Sequence, residues 1–172
     1  MKIFLIGYMG SGKTTIGKAL ASQMDTSFMD MDDLIMAHAG LSIAKIFDVK
    51  GEEAFRQIER KVLKELESTS TGIVACGGGT PCFFDNMTWM NANGLTIYLK
   101  HSPKQLIRHL RGQIADRPIL IGKSEEELLQ FIETHLKERS TFYEQAQVVL
   151  EGGGALDKSV SELRDFLEGM RS

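Results

Sequence analysis

Cysteine is scarce in this 172-residue chain, which has only Cys76 and Cys82. Two thiols are too few for a disulfide framework, and they lack the second cysteine or histidine pair that a structural zinc site needs. The sequence therefore favours a reducing environment, and we expect a cytoplasmic protein.

The chain also lacks an excess of basic side chains. Its 20 lysines and arginines stand against 23 aspartates and glutamates, which gives a formal net charge of −3. Proteins that bind nucleic acid usually concentrate basic residues well above their carboxylates. We therefore expect no nucleic-acid partner, and the composition leaves open only a local cationic pocket.

Long apolar runs are missing as well. The run at residues 3–6 ends at a glycine and is too short for a signal peptide or a membrane span, so we expect a buried strand and no membrane association. Repeats, low-complexity tracts and long linkers are also absent from the sequence. The length then predicts one domain over residues 1–172, and we expect a monomer.

Short apolar runs alternate with segments of helical spacing, which is typical of a parallel α/β sheet. Strands are predicted at 3–6, 27–29, 72–75, 95–99 and 147–150, and helices at 13–24, 32–39, 52–66, 103–110, 125–138 and 157–168. Helices on both faces of such a sheet make a three-layer α/β sandwich. Glycine, proline and charge interrupt residues 111–124, which suggests a mobile lid at about residues 112–123.

A phosphate-binding motif follows the first predicted strand. Residues 7–14 read Gly-Tyr-Met-Gly-Ser-Gly-Lys-Thr and match G-x-x-x-x-G-K-[ST], with a helical pattern after them. Glycines let successive backbone amides and the start of the helix converge on a phosphate. We expect the lysine to bind the β- and γ-phosphates and the threonine hydroxyl to join a Mg²⁺ shell. The alternative is a glycine-rich turn with an incidental lysine. The expected nucleotide-binding residues are Gly10, Ser11, Gly12, Lys13, Thr14 and Thr15.

Acidic residues end the second predicted strand. If that strand persists, Asp30 and Asp32 point the same way, so that one acid lies near Mg²⁺ and the other holds an acceptor hydroxyl. Helix capping is the plainer alternative for this pair. For Asp33 we prefer an exposed acid in a first helical turn.

Two further features indicate a second pocket. Arg56 and Glu59 lie three residues apart on one helix, where they form either a solvated ion pair or a fork that binds a substrate carboxylate. Gly77, Gly78 and Gly79 follow the third strand and allow close approach of a ligand, although a flexible turn is also possible.

Together these motifs make the chain resemble the shikimate kinase family over nearly its whole length. The segments that carry the resemblance are residues 7–14, Phe28-x-Asp30-x-Asp32-x-x-Ile35, Gly40-x-x-Ile43-x-x-Ile46-Phe47, Gly51-Glu52-x-x-Phe55-Arg56-x-x-Glu59, Gly77-Gly78-Gly79 and Arg117-Pro118-x-Leu120. The resemblance implies a P-loop kinase fold of the nucleoside-monophosphate-kinase type with five parallel strands. It also implies ATP-dependent phosphorylation of the shikimate 3-hydroxyl, a step of chorismate and aromatic amino-acid biosynthesis.

The same resemblance implies roles for single residues. Asp32 would hold the acceptor hydroxyl, and Asp30 would act through water bound to Mg²⁺. Arg56, Arg139 and the three glycines would bind the shikimate carboxylate and ring hydroxyls. Arg117, in the predicted lid, would close onto the phosphates and complete a catalytic set with Lys13 and Asp32.

Two other functions stay open at this point. Gluconate-type and nucleoside-monophosphate-type kinases share the cradle and differ in the acceptor pocket. An ATP-sensing module would bind nucleotide without turnover. A switch GTPase is disfavoured, because the chain has no Asn-Lys-x-Asp sequence.

Overall fold

A computed structural model describes residues 1–111, 122–153 and 155–170. The strands in these ranges are β1 (Lys2–Ile6), β2 (Phe28–Asp30), β3 (Gly72–Ala75), β4 (Leu95–Lys100) and β5 (Val148–Glu151). They form one sheet in the order β2-β3-β1-β4-β5, and all its pairs are parallel. The predicted five-stranded parallel sheet is therefore confirmed.

Helices cover both faces of the sheet. They are α1 (Lys13–Gln23), α2 (Met31–Ala39), α3 (Ile43–Glu65), α4 (Asn86–Asn93), α5 (Pro103–Leu110), α6 (Glu125–Tyr143) and α7 (Leu156–Gly169). None of the described helices is both long enough and apolar enough to cross a membrane. The predicted three-layer α/β arrangement is confirmed.

Strand β1 shows why the first apolar run is continuous. Phe4 and Ile6 point into a core shared with α2 to α6, while Ile3 and Leu5 point into a second core with α1 and α7. All four side chains are buried. A central parallel strand is covered on both faces, so that it needs apolar residues at every position.

Helix α3 begins nine residues before the predicted helix at 52–66. The Ser42 side chain caps it by accepting the Lys45 amide, and Gly51 divides it into two arms with φ 79° and ψ 173°. That conformation is open essentially only to glycine. The sequence pattern predicted only the arm after Gly51, because a glycine is more typical of the end of a helix than of a kink inside it.

Two other helices differ from prediction. Helix α6 continues past 138 to Tyr143, so Arg139 lies inside the helix instead of at its C-terminus. Helix α4 was not predicted, because its asparagine-rich sequence lacks a clear apolar stripe. Both differences matter for the site, since α6 delivers an arginine to it.

The sheet order places the glycine-rich loop at the centre of the molecule. β1 lies between β3 and β4, and the loop after β1 emerges at the carboxyl edge of the sheet. The ends of β2 and β3 open on the same edge, because the strands are parallel. The acidic turn after β2 and the glycines after β3 therefore come close to the loop.

Candidate active site

The loop between β1 and α1 has backbone angles that require glycine. Gly10 and Gly12 have φ 80° and 85°, and Gly12 is the residue that precedes α1. A Cβ atom at Gly10 would lie 2.8 Å from Cγ of Leu110. The first amides of a helix have no partner within the helix, and such helix ends bind phosphate.

Lys13 places its ammonium over the same loop. Its Nζ donates to the carbonyl oxygens of Gly7 and Tyr8 at 2.8 and 2.9 Å and lies 3.4 Å from Oγ of Ser11. These contacts keep the positive charge beside the backbone amides. The loop thus holds a full charge where an anion would enter.

Asp30 connects the loop to the second strand. Its Oδ2 accepts a hydrogen bond from the Thr14 hydroxyl at 2.8 Å, and its Oδ1 accepts the Asp32 amide at 3.0 Å. The expectation that Asp30 and Asp32 share a side of one strand is wrong, because β2 ends at Asp30 and α2 begins at Met31. Asp30 caps α2, and the turn itself brings both acids to the cleft. Asp33 is exposed in the first turn of α2, as predicted.

The Thr14 and Asp30 pair fits Mg²⁺. A hydroxyl and a carboxylate oxygen are hard ligands, and Mg²⁺ keeps several waters and binds through substrate phosphates. Among the described residues, no group of three or more His, Cys, Asp or Glu side chains is arranged for a metal. A site with few protein ligands beside a phosphate loop suits Mg²⁺ better than a closed site made only of protein ligands would.

One cleft of about 490 Å³ runs from the loop to the ends of β2 and β3. The residues from Gly10 to Thr15, including Ser11 and Gly12, line one part of it. Asp30, Asp32, Gly77 and Gly78 line the part beside the sheet edge. The cleft therefore joins the predicted phosphate residues to Asp32, Gly77 and Gly78, whereas Gly79, Arg56 and Arg139 are not among its lining residues.

Arg56 and Glu59 form a buried ion pair, not a solvated one. They are 9% and 1% exposed, and Nη1 of Arg56 donates to Oε2 of Glu59 at 2.8 Å. Thr80 donates to the other oxygen of Glu59 at 2.6 Å, and Glu52 lies 3.3 Å from Nη2 of Arg56. Buried charges cost several kcal/mol each unless they are well paired. This arrangement holds the charge of a guanidinium group, which is the kind of group that binds carboxylates.

The three glycines after β3 lie against charged side chains. A Cβ atom at Gly79 would stand 2.6 to 2.9 Å from the Arg56 guanidinium, and one at Gly78 would stand 3.4 Å from Nη1 of Arg139. At Gly77 the nearest charged atoms would be Oε1 of Glu59 at 3.2 Å and Oδ1 of Asp32 at 3.6 Å. Gly79 in particular leaves no room for a side chain.

Helix α6 brings Arg139 beside Gly78, which lines the cleft. Its Cζ lies 5.6 Å from the centre of the Tyr8 ring, and the Tyr8 hydroxyl lies 3.1 Å from Nδ1 of His135. Tyr143 donates to the Gly78 carbonyl at 2.5 Å. Burial raises the pKa of Tyr8 to about 12, and the Arg139 charge opposes that rise. Tyr8 therefore stays neutral and supports α6 against the loop.

Cys76 is a packed side chain. It is buried, with Sγ 3.7 Å from Sδ of Met90, and burial raises the pKa of its thiol. A thiol that resists ionisation is a poor nucleophile. The described contacts give it no part in the chemistry of the cleft.

The structure brings together most of the predicted site residues and adds others. Arg117 and residues 112–121 of the predicted lid lie outside the described residues. Phe83 was missed, although its ring centre lies 4.1 Å from Cζ of Arg56. His109 was also missed, and its Nδ1 lies 2.8 Å from the Gly10 oxygen. No sequence signal marked either residue, since both act across the fold.

Comparison with known proteins gives a consistent result. A family model described as shikimate kinase matches residues 9–168. The shikimate kinase of Bacteroides thetaiotaomicron is 41% identical over 173 residues, covering 98% of this chain and 99% of that protein. The shikimate kinase of Flavobacterium johnsoniae is 37% identical over 169 residues, covering 96% of this chain and 98% of that protein.

Solved structures agree with the sequence comparisons. The crystal structure of the Bacteroides thetaiotaomicron shikimate kinase has a TM-score of 0.90 and 40% identity, covering 98% of each chain. The Acinetobacter baumannii shikimate kinase, solved in complex with shikimate, has a TM-score of 0.84 and 31% identity, covering 98% of this chain and 93% of that one. The phosphate loop, the buried arginine and the matches over nearly the full length agree, and the chain belongs to the shikimate kinase family.

Proposed function

We propose that this chain transfers the γ-phosphoryl group of ATP to the 3-hydroxyl of shikimate, giving shikimate 3-phosphate and ADP for chorismate and aromatic amino-acid biosynthesis. The observation that carries the proposal is the cleft that joins the phosphate loop to Asp32, Gly77 and Gly78, with Arg139 beside Gly78. The Acinetobacter baumannii relative, which binds shikimate, supports the choice of acceptor.

ATP is the co-substrate, and its phosphates bind at the loop end. The backbone from Gly10 to Thr15 would donate amides to the phosphate oxygens, with the start of α1 behind them. Lys13 would exchange its contacts with the Gly7 and Tyr8 carbonyls for phosphate oxygens. This exchange keeps the ammonium paired before and after binding.

Thr14 and Asp30 would hold Mg²⁺ through the oxygens that now face each other at 2.8 Å. When bound, the ion would neutralise phosphate charge. The hydroxyl would act as a direct ligand, and the carboxylate would act through bound water.

The acid would bind at the other end of the cleft. Glu59 and Glu52 hold the Arg56 guanidinium, whose Nε is buried and has no hydrogen-bond partner among the described residues. We propose that Arg56 and Arg139 bind the shikimate carboxylate, while the Gly77, Gly78 and Gly79 backbone contacts the ring. Without a side chain at Gly79, the acid can approach the guanidinium closely.

In the transfer step, the 3-oxygen forms a bond to the γ-phosphorus as the bond to the β-phosphate oxygen breaks. The hydroxyl proton passes to Asp32 or through it to water, and ADP leaves. The transition state is loose, so that alignment and charge stabilisation outweigh proton removal. Asp32 therefore mainly orients the acceptor, and Arg117 would close over the phosphates from a lid at about residues 112–123 of the single 1–172 domain.

We further propose a cytoplasmic monomer that acts on small molecules alone. The two free cysteines and the net charge of −3 support this proposal. Light scattering behind a size-exclusion column should give a mass near 19.1 kDa. A dimer mass at assay concentration would contradict the monomer.

The acceptor is tested by measuring ADP release with shikimate, gluconate and AMP offered in parallel. We expect turnover with shikimate alone and its loss on chelation of Mg²⁺. Equal turnover with gluconate or AMP would favour another small-molecule kinase. Tight ATP binding without turnover on any acceptor would favour an ATP-sensing module.

The carboxylate site is tested with Arg56→Ala. Loss of a buried charge partner costs at least about 2 kcal/mol, so the KM for shikimate should rise about 30-fold or more while the KM for ATP stays within twofold. Lys61→Ala is the matched control, because Lys61 is an exposed basic residue of the same helix. An unchanged KM for shikimate in folded Arg56→Ala protein would refute the assignment.

A further inference from the structure

The guanidinium of Arg56 is stacked on an aromatic ring. The Phe83 ring centre lies 4.1 Å from Cζ of Arg56, closer than the Phe55 ring at 5.0 Å. We propose that Phe83 is a positioning residue that sets the plane of the Arg56 guanidinium and thereby the affinity for the substrate carboxylate. This inference rests on the proposed role of Arg56.

The hydrogen bonds of Arg56 leave its plane under-determined. One strong bond joins Nη1 to Glu59, whereas the Glu52 partner of Nη2 is 3.3 Å away and its side chain is 60% exposed. Among the described residues, Nε has no hydrogen-bond partner. A guanidinium held firmly at one nitrogen can still tilt about that bond, so a further contact is needed to define its plane. The Phe83 ring, whose centre lies 4.1 Å from Cζ, supplies a further contact, because arginine stacks favourably on aromatic faces.

Tilting would matter at Gly79. The guanidinium occupies the space beside this glycine so closely that a Cβ atom there would lie 2.6 Å from Nη2 and 2.7 Å from Nη1. A carboxylate that enters along the glycine backbone must therefore meet the fork edge-on. A small rotation of the plane would misdirect the N–H donors that Glu59 and Glu52 do not use.

The loop that carries Phe83 is tied to the helix that carries Arg56. Phe83 is extended, and Phe84 has φ 53°, an unfavourable value for a residue with a Cβ atom. Asp85 holds the loop in this shape by pairing with Arg60 and Lys64 of α3 at 3.0 Å each. The ring of Phe83 and its target arginine are thus parts of one rigid unit.

The two neighbouring aromatic residues face different arginines, which provides a matched control. Phe84 is 48% exposed and lies 5.0 Å from Cζ of Arg60, which pairs with Asp85 instead of facing Gly79. A substitution at Phe84 therefore alters the same loop but leaves the Phe83 ring in contact with Arg56. Only Phe83 is expected to influence acid binding.

The test compares shikimate and ATP kinetics in matched variants. A cation–π contact is worth about 0.5 to 2 kcal/mol, so Phe83→Leu should raise the KM for shikimate by about 2- to 30-fold, with kcat and the KM for ATP within twofold. Phe83→Tyr and Phe83→Trp should keep the KM for shikimate near the parent value. Phe84→Leu should leave all three parameters unchanged.

A double-variant cycle makes the test specific. If Phe83 acts through Arg56, adding Phe83→Leu to Arg56→Ala should raise the KM for shikimate no further. Thermal melting checks folding, and Phe83→Met serves the same comparison if Phe83→Leu does not fold. A parent-like KM in Phe83→Leu, an equal rise in Phe84→Leu, or an additive rise on Arg56→Ala would overturn the inference. Failure of the proposed function is distinguishable, because the parent enzyme would then show no shikimate turnover or Arg56→Ala would leave its KM unchanged.

Discussion

Arg56 and Glu59 are charged side chains that α3 turns away from water. Burying a charge costs several kcal/mol, and an apolar pair of similar volume would avoid that cost. We therefore expect the pair to belong to a binding site, where the guanidinium can bind an anion. Thr80, which donates to Glu59, and Gly79, which lies beside the guanidinium, both follow β3.

Glu59→Gln tests the buried pair. Removing the carboxylate charge leaves Arg56 buried with a neutral partner, so we expect the free energy of unfolding to fall by about 3 kcal/mol and the KM for shikimate to rise. Glu52→Gln is the control, because this more exposed partner of the same arginine should change stability by less than about 1 kcal/mol. Urea unfolding measures the free energy of unfolding of both variants. Equal losses in the two variants would contradict a special role for the buried pair.

Lys13→Ala tests the loop charge. Because Lys13 is expected to stabilise charge on the transferring phosphoryl group, kcat should fall by about 100-fold or more. Lys18→Ala is the control, since this exposed lysine of the same helix stacks on Phe28. Steady-state ADP release measures both variants. A kcat within threefold of the parent would remove Lys13 from the catalytic set.

At the level of elements, the kink in α3 orients the arm that carries Arg56. Gly51 adopts φ 79° and ψ 173°, and Arg56 lies in the arm after it. A straight helix would give that arm another direction. We therefore expect the proposed site to require the kink.

Gly51→Ala tests this requirement. A Cβ atom at Gly51 would meet nothing within 4 Å, so any cost must come from the backbone angles. We expect a loss of about 1 to 3 kcal/mol in the free energy of unfolding, measured in urea. Gly169→Ala in α7 has equal space and no positive φ, and it should be neutral or stabilising. Equal effects at the two sites would refute backbone strain at Gly51.

For the whole molecule, two histidines make stability depend on pH. Burial lowers the pKa of His101 and of His135 from their ordinary values. The unfolded chain, with histidine pKa values of about 6.5, therefore binds more protons than the folded protein below that pH. The stability contributed by the neutral rings is present above about pH 6.5 and is lost as pH falls through the lower folded-state values.

We therefore expect the urea concentration at the midpoint of unfolding to decrease as the pH is lowered from 7.5 to 5.5. A double variant, His101→Gln with His135→Gln, should show a flatter profile over this interval. The carboxyl groups with lowered pKa, Asp85 and Glu127, lose their contribution at more acid pH and do not account for the change. Parallel profiles for parent and variant would contradict the histidine origin.

Particular elements show how far the sequence could go. The phosphate loop was predictable, because its glycines, lysine and flanking elements form one continuous motif. The approach of Asp30 and Asp32 was predicted for the wrong reason, since strand alternation does not describe a strand that turns directly into a helix. Helix α4 and the first arm of α3 were not predicted, because tertiary packing stabilises them more than any local pattern indicates.

The sequence by itself determined the alternation of strands and helices, the phosphate loop and the identity of the charged side chains. These depend on dihedral freedom, periodicity and charge within short stretches of chain. Only the tertiary structure decided that Arg56 is buried, that Arg139 reaches Gly78 and that Phe83 stacks on Arg56. Such contacts join residues on separate elements, and their geometry follows from how those elements pack rather than from the residues near each of them in sequence.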